Sequence, residues 1–359
     1  VRQSLHFLKA RDGTSLAWAV AGSGPTLLKT SNWLTHLEYD RDSPIWRHWI
    51  EFLSTHFRFV RYDEPGCGMS DWDVPDLGPS RWLADLEDVV GACHPDPGQP
   101  LVLLGISQGA AAALAYAVRH PERVSHLVLY GGYAQGWRHR ADEAGRKRFE
   151  AIIDLARYGW GTHNPAFRQV FTQRFIPEGT DEQLAWFNDL CRKTVSPEMA
   201  ARLLEVRAET DVVDLLARVT VPTLVLHARQ DEVVPLLSGR QLAAGIPGAR
   251  FVQLESRNHI LLAGEPAWQR FQEEVLEFTR PPLLGREDPI FLPLSRRERE
   301  ILRLAMEGHD NARIGAALFI SDKTVRNHVS RIYEKLGVTS RAQAVALAHA
   351  KSFRGGATG

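Results

Sequence analysis

Leu101–Val118 reads LVLLGISQGAAAALAYAV, and the way this stretch divides decides the fold. Its first four residues are aliphatic, as expected of a short strand buried on both faces. Its last part is rich in alanine, with no helix breaker before His120-Pro121, and predicts a helix. Between the two lies Gly105-Ile106-Ser107-Gln108-Gly109, a G-x-S-x-G arrangement. The pattern predicts a sharp strand-to-helix turn that lifts the Ser107 hydroxyl out of a sheet. Both glycines have a steric reason, because a Cβ at either place would collide with the neighbouring strand or helix. No charge falls between Asp96 and Arg119, an interval long enough for a membrane span. The glycine-serine-glutamine break and Pro100 point instead to a buried core strand, and no membrane association is expected.

The surroundings of this weak motif carry the argument. At 359 residues the chain has room for two domains. Its hydrophobic content of 44% and charged content of 24% fit a soluble globular protein rather than a disordered or membrane one. The net charge of zero conceals an asymmetry. From Ile290 onward there are twelve Lys and Arg against six Asp and Glu, a net +6 that leaves −6 on the remainder. A basic, compact end on an acidic body predicts a nucleic-acid module joined to something else. Cys67, Cys93 and Cys191 are scattered and form no C-x-x-C pair, so neither a disulfide framework nor a zinc site is expected, and no other metal or cofactor is implied. The first residues, VRQSLHFLKARDG, lack an apolar signal core, which predicts a cytoplasmic location.

In chain order, Ser4–Leu8 and Ser15–Val20 predict two strands joined by an Arg11-Asp12-Gly13-Thr14 turn. Thr26–Lys29 follows as a third strand, PIWRHWIEFLSTH as a helix, FRFVRYD as a fourth strand and Trp82–Ala92 as a second helix. Val124–Tyr130, Val221–His227 and Phe251–Leu254 predict further strands, and Pro266–Phe278 a closing helix. Strands alternating with helices after a hairpin indicate a mostly parallel sheet covered on both faces. Residues 133–216 lose the alternation and are helix-rich, with Trp137, Tyr158, Trp160, Phe167, Phe171, Phe175, Trp186 and Phe187.

With the G-x-S-x-G turn, this α/β pattern resembles the α/β-hydrolase superfamily. RYDEPGCGMSD looks like the D-x-R-G-x-G-x-S turn after that family's fourth strand, with Pro65 where arginine is usual. Asp63 in that turn is read as structural rather than as a catalytic acid. The resemblance makes residues 133–216 a helical cap over the serine; its aromatics are expected mainly in the core, with a minority facing a ligand. A serine hydroxyl needs a base to take its proton, and the base needs an acid to fix its tautomer. In this family the order is serine, acid, histidine. The resemblance therefore implies Ser107, then Asp231 in LVLHARQDEVVP, then His259 in QLESRNHILL, with Glu232 the alternative acid. His227 lies within a strand, and His120 and His126 flank other elements, which suits structural roles. Of the two backbone N–H donors an oxyanion hole requires, one is expected from Gln108. The other is expected from Asn32, or failing that Trp33, where Thr30-Ser31 replaces the family's frequent His-Gly pair.

Arg280–Pro289, RPPLLGREDP, reads as a linker between a first domain of residues 1–279 and a last of residues 290–359. Ser295-Arg296-Arg297-Glu298 is a capping box opening a helix to about Glu307. Asn311–Leu318 predicts a second helix, Ser321–Leu336 a third stopped by Gly337, and Arg341–Ala350 a fourth. This all-α block closely resembles the LuxR-type helix-turn-helix in its L-[ST]-x-R-E, I-S-x-x-T-V-x-x-H-V and K-L-G-V-x-x-R-x-x-A patterns. Gly315 stands where alanine is usual and is expected to loosen the second helix. In such motifs the later helix enters the major groove of double-stranded DNA. The resemblance places Lys323, Arg326, Asn327, Ser330 and Arg331 on its outer face, with Arg326 and Asn327 reading bases. Lys323, Thr324 and Arg331 are expected to hold phosphates, and His328 to pack. The fourth helix is where family members commonly pair, which predicts a homodimer. Together the two halves imply a transcription regulator sensing a small, fairly apolar molecule, such as an ester or lactone, with Ser107 on the floor of the ligand pocket. The alternative is a serine esterase or lactonase whose last domain serves assembly or localisation.

Overall fold

The computed structural model describes residues 2–94, 96, 98–279, 289–291, 293–351 and 353. The chain divides into two compact units, Val1–Phe278 and Thr279–Gly359. Of the expected linker, residues 280–288 lie outside the described residues.

The first unit opens with strands β1 (Gln3–Lys9), β2 (Ser15–Ala21) and β3 (Thr26–Lys29), then helix α1 (Arg47–His56) and β4 (Arg58–Tyr62). After α2 (Pro79–Cys93) come β5 (Leu101–Ile106), α3 (Gly109–Arg119) and β6 (Val124–Tyr130). A helical excursion follows: α4 (Trp137–Arg140), α5 (Glu143–Gly159), α6 (Ala166–Phe175), α7 (Asp181–Thr194), α8 (Pro197–Ala208) and α9 (Val213–Leu216). The sheet resumes with β7 (Thr223–Ala228), α10 (Leu236–Gly245), β8 (Arg250–Leu254) and α11 (Pro266–Thr279). The eight strands form one sheet in the order β1-β2-β4-β3-β5-β6-β7-β8. Only the β1/β2 and β2/β4 pairs are antiparallel.

β5 shows why the sequence reads as an unbroken apolar run. Val102, Leu104 and Ile106 enter a core with α1, α11 and the cap, whereas Leu101 and Leu103 enter the opposite core with α2 and α3. A strand covered on both faces has no polar side to alternate with. The alanines of α3 serve close approach, since Ala110, Ala111, Ala112 and Ala113 are all buried against the sheet.

The second unit contains α12 (Arg296–Met306), α13 (Asn311–Leu318), α14 (Asp322–Leu336) and α15 (Arg341–Ala350) around Ile301, Ile314, Val325 and Ile332. The Ser295–Glu298 capping box forms, and Asp310, Ser321 and Ser340 cap the other three helices. Gly308 and Gly337, both at positive φ, follow the ends of α12 and α14. Gly315 departs from its expected effect. Helix α13 continues unbroken to Leu318, and a Cβ at Gly315 would lie 2.7 Å from the Ile320 carbonyl oxygen. Glycine therefore admits the backbone of the following turn, whose Ile320 N–H donates to the Gly315 carbonyl at 3.0 Å.

Candidate active site and DNA-binding surface

The G-x-S-x-G turn has the geometry its spacing predicts. Ser107 sits at φ 54°, in the left-handed region that a residue with a side chain adopts only when its surroundings impose it. Its N–H donates to the Tyr130 carbonyl at 2.9 Å, which ties the turn to β6. A Cβ on Gly105 would meet the Ala110 backbone at 2.8 Å, and one on Gly109 would meet Thr30 Oγ1 at 2.5 Å. The Thr30 hydroxyl donates to the Gly109 carbonyl at 2.9 Å. The Thr30-Ser31 pair thus holds the loop after β3 against the turn.

Asp231 and His259 meet as the family order implies. His259 Nδ1 lies 2.6 Å from Asp231 Oδ2, and both side chains are buried. Asp231 Oδ1 accepts from the N–H groups of Val233 and Val234 at 2.8 and 2.9 Å. Burial alone would raise the Asp231 pKa, but the His259 contact and these donors leave it below the ordinary value. Glu232 is instead exposed at the surface, 3.4 Å from Arg257. Asp63 is fully buried and accepts from the N–H groups of Leu37 and Met69, a structural turn residue.

His259 is fixed from the cap: its N–H donates to the Phe175 carbonyl at 2.8 Å, and the Phe175 ring meets its ring edge to face at 5.3 Å. A Cβ on Gly131 would lie 3.1 Å from the His259 ring, and one on Gly132 3.4 Å from the Ser107 carbonyl, so the end of β6 abuts both residues. His259 Nε2 is buried without a partner among the described residues, and no hydrogen bond there joins it to Ser107. Such bonds commonly tighten only when a ligand is bound.

Among the described residues, no protein group accepts the backbone N–H of Gln108, Asn32 or Trp33. The Asn32 carboxamide is held by Lys29 Nζ and donates to the Trp33 carbonyl. Lys29 is buried at the end of β3, and loss of solvation brings its pKa down to about 8. Sequence reading missed this lysine, whose signal was a charge closing the apolar run Thr26-Leu27-Leu28. It also set aside His227, which stands behind Asp231 with Nε2 3.7 Å from Oδ2 and 2.9 Å from the Val234 carbonyl. A third missed feature is the buried Glu64–Arg207 ion pair, which ties the loop after β4 to α8. The Arg207 guanidinium lies 4.9 Å over the Trp33 ring.

A cleft of about 960 Å³ opens beside this centre, between α5, α6 and residues 231–235. Trp137 is the member of the expected aromatic set that lines it; Trp160, Phe171, Phe175 and Phe187 pack in the core. Ser107 is 5% exposed and is not in the lining, whereas Asp231 is. The cleft therefore opens at the acid loop, on Asp231 to Pro235.

In the second unit, Lys323, Arg326, Asn327, Ser330 and Arg331 are all exposed along one face of α14, opposite buried Val325, Ile332 and Leu336. Thr324 is half-buried and its hydroxyl shares a 2.8 Å hydrogen bond with the Ser321 cap. His328 is half-buried, as a packing residue should be. Arg326 reaches back 2.6 Å to Asp322. Several other basic residues are committed to structure: Arg299 to the Phe291 and Leu294 carbonyls, Arg341 to the His309 carbonyl, and Lys335 to Glu298. Lys323, Arg326 and Arg331 thus place three cations on the open face of α14.

The family model described as serine aminopeptidase, S33, matches residues 49–265, more than half of the chain. That of bacterial regulatory proteins, luxR family, matches residues 292–348. The chain belongs to the α/β-hydrolase family through its first unit and carries a LuxR-type helix-turn-helix DNA-binding domain as its second. It is 25% identical over 279 residues to pyrrolizixenacetamide deacetylase of Xenorhabdus hominickii, covering 76% of this chain and 96% of that protein. The last part is 56% identical over 52 residues to the transcriptional regulatory protein DegU of Brevibacillus brevis, 14% of this chain and 22% of DegU. An esterase from Exiguobacterium antarcticum shares the fold of the first unit with a TM-score of 0.63 at 22% identity, covering 76% of this chain and 98% of the esterase. No helix among the described residues is long and apolar enough to cross a membrane.

Proposed function

We propose that this protein is a ligand-responsive transcription regulator, acting in the cytoplasm as a homodimer paired through α15. Its hydrolase-fold unit binds a small molecule with an apolar body, of the ester or lactone class, and its second unit reads an operator through α14. The observation that carries the reading is the presence in one chain of a complete LuxR-type domain and a hydrolase-fold unit with an open cleft against Asp231. An esterase whose last unit only assembles or localises it is less well supported, since that unit resembles a transcriptional regulatory protein and keeps an exposed polar face on α14.

The chemistry assigned to the first unit follows from its groups. Ser107 Oγ attacks the carbonyl carbon of an ester as His259 Nε2 takes its proton, with Asp231 holding Nδ1–H. The N–H groups of Gln108 and Asn32, or Trp33, receive the developing oxyanion. His259 then returns the proton to the leaving alcohol, and water releases the acid from Ser107 by the same steps in reverse.

Gel shift against the gene's own upstream DNA tests the regulator reading, and Ser107→Ala tests turnover. Sequence-specific binding with a steep salt dependence is expected. Binding that is indifferent to sequence would defeat the regulator reading. If Ser107→Ala abolishes release of p-nitrophenol from p-nitrophenyl esters, the serine is the nucleophile; unchanged hydrolysis removes it from that role.

A further inference from the structure

The cleft beside Asp231 has a lining that an apolar ligand alone does not explain. Arg140, Arg148 and Arg174 all line it, and among the described residues none has a carboxylate within 4.0 Å. Arg140 is half-buried; one of its nitrogens lies 3.3 Å from Ser238 Oγ, while its Nε is buried with no acceptor. Arg174 gives one N–H to the Glu232 carbonyl at 2.9 Å and stacks 5.2 Å over the Phe149 ring. The three carboxylates in the same lining are engaged elsewhere. Asp231 is held by His259, Glu232 faces Arg257, and Asp142 caps α5 through the Gly145 N–H. Burial, with the repulsion of Arg140 and Arg148, holds the Arg174 pKa below its ordinary value in spite of Asp231 and Glu232. Beside these cations the wall is apolar, from Trp137, Phe149, Ile152 and Val170.

Guanidinium groups with no carboxylate within 4.0 Å, two of them half-buried and one with a buried Nε lacking an acceptor, next to an aromatic and aliphatic wall describe a site for an amphiphilic anion. We infer that the cleft binds an organic carboxylate, its head between Arg140 and Arg174, with Arg148 at the rim, and its apolar body against Trp137 and Phe149. The inference rests on the reading of the first unit as the ligand-binding one and adds to the apolar ester or lactone proposed there a carboxylate group of its own. Arg174 directly precedes Phe175, whose carbonyl accepts from the His259 N–H.

The test uses the full-length protein, with octanoate and its uncharged counterpart octan-1-ol as probes in titration calorimetry. Octanoate is expected to bind at least about tenfold more tightly than octan-1-ol, as a charge-assisted pair requires. Arg140→Gln should erase most of that preference and leave octan-1-ol binding intact. Arg148→Gln, at an exposed position that folding does not need, should reduce it several-fold. Added salt should weaken octanoate binding only. Equal affinity for the two probes, or a preference that survives both substitutions, overturns the carboxylate site. Gel shift with each probe separates the two proposals. Tight octanoate binding with operator affinity unmoved upholds the carboxylate site and defeats sensing of this ligand class. An operator response to octan-1-ol as strong as that to octanoate defeats the carboxylate site alone.

Discussion

Arg326 offers the most direct test of how the second unit reads DNA. It is exposed on α14, with its guanidinium 2.6 Å from the Asp322 carboxylate one turn earlier. A surface pair at this spacing is worth ~0.3–0.5 kcal/mol and is lost when the arginine turns toward a base. A bidentate contact to guanine discriminates by ~1–3 kcal/mol. The difference leaves a net cost for Arg326→Ala of ~0.5–2.5 kcal/mol, roughly twofold to sixtyfold in operator affinity. Asp322→Asn removes both the competing partner and a negative charge from the face that approaches the phosphates, so it should tighten binding by about twofold. The assay is fluorescence anisotropy on a duplex selected in vitro from random sequences, repeated over a range of salt concentrations. Arg326→Ala should lose affinity for the selected duplex and become indifferent to one guanine. Lys323→Ala should weaken all duplexes alike and lower the salt slope by about one. If Arg326→Ala behaves like Lys323→Ala, Arg326 is a phosphate contact and the base-reading assignment is wrong.

Two further predictions concern ion pairs with a buried carboxylate. Glu298 is 2% exposed and accepts from the Ser295 N–H and Lys335 Nζ, each at 2.7 Å, tying the start of α12 to the end of α14. Glu298→Ala should destabilise the second unit by ~2 kcal/mol, read as faster amide exchange across residues 296–336, and Glu298→Gln by less because it keeps an acceptor for Ser295. Burial opposes ionisation of Glu298, but its Lys335 and Ser295 contacts hold its pKa below the ordinary 4.5. The ionised tie is therefore fully present above that value and lost as pH falls through the lower folded value, so acid should accelerate exchange in the wild type more than in Glu298→Gln. Glu64 and Arg207 form a buried pair across the loop after β4 and the cap. Either Glu64→Gln or Arg207→Met alone should cost ~3–5 kcal/mol in denaturant unfolding, by leaving one charge buried and unpaired. The double variant should cost clearly less than the sum; simple additivity would show that the pair is not coupled.

The two halves of the chain were legible in the sequence for different reasons. The second unit is small and its helix signals are local: Ser295 and Glu298 are three residues apart, Ser321 caps its own helix, and Gly337 ends it. The first unit was legible where steric need is local, at Gly105, Ser107 and Gly109, and where chain order matched a known pattern, at Asp231 and His259. Gly315 was misread because the reason for it lies in the next turn, where the Ile320 carbonyl would crowd a Cβ.

Amino-acid sequence by itself determined the strands of the sheet, the helices of the second unit, the apolar identity of β5, the turn at Ser107 and the outward face of α14, because each depends on residues within a few positions of one another. Tertiary structure alone decided which distant charges meet. Lys29 acquires its lowered pKa only when β3 is buried beside the Ser107 turn, and Glu64 finds Arg207 only when α8 folds over the loop after β4. It also formed the cleft at the acid loop, lined by Arg140 and Arg174 from separate helices. Loss of solvation and pairing between charges are set by what the folded chain brings together in space, and spacing along the sequence does not record that.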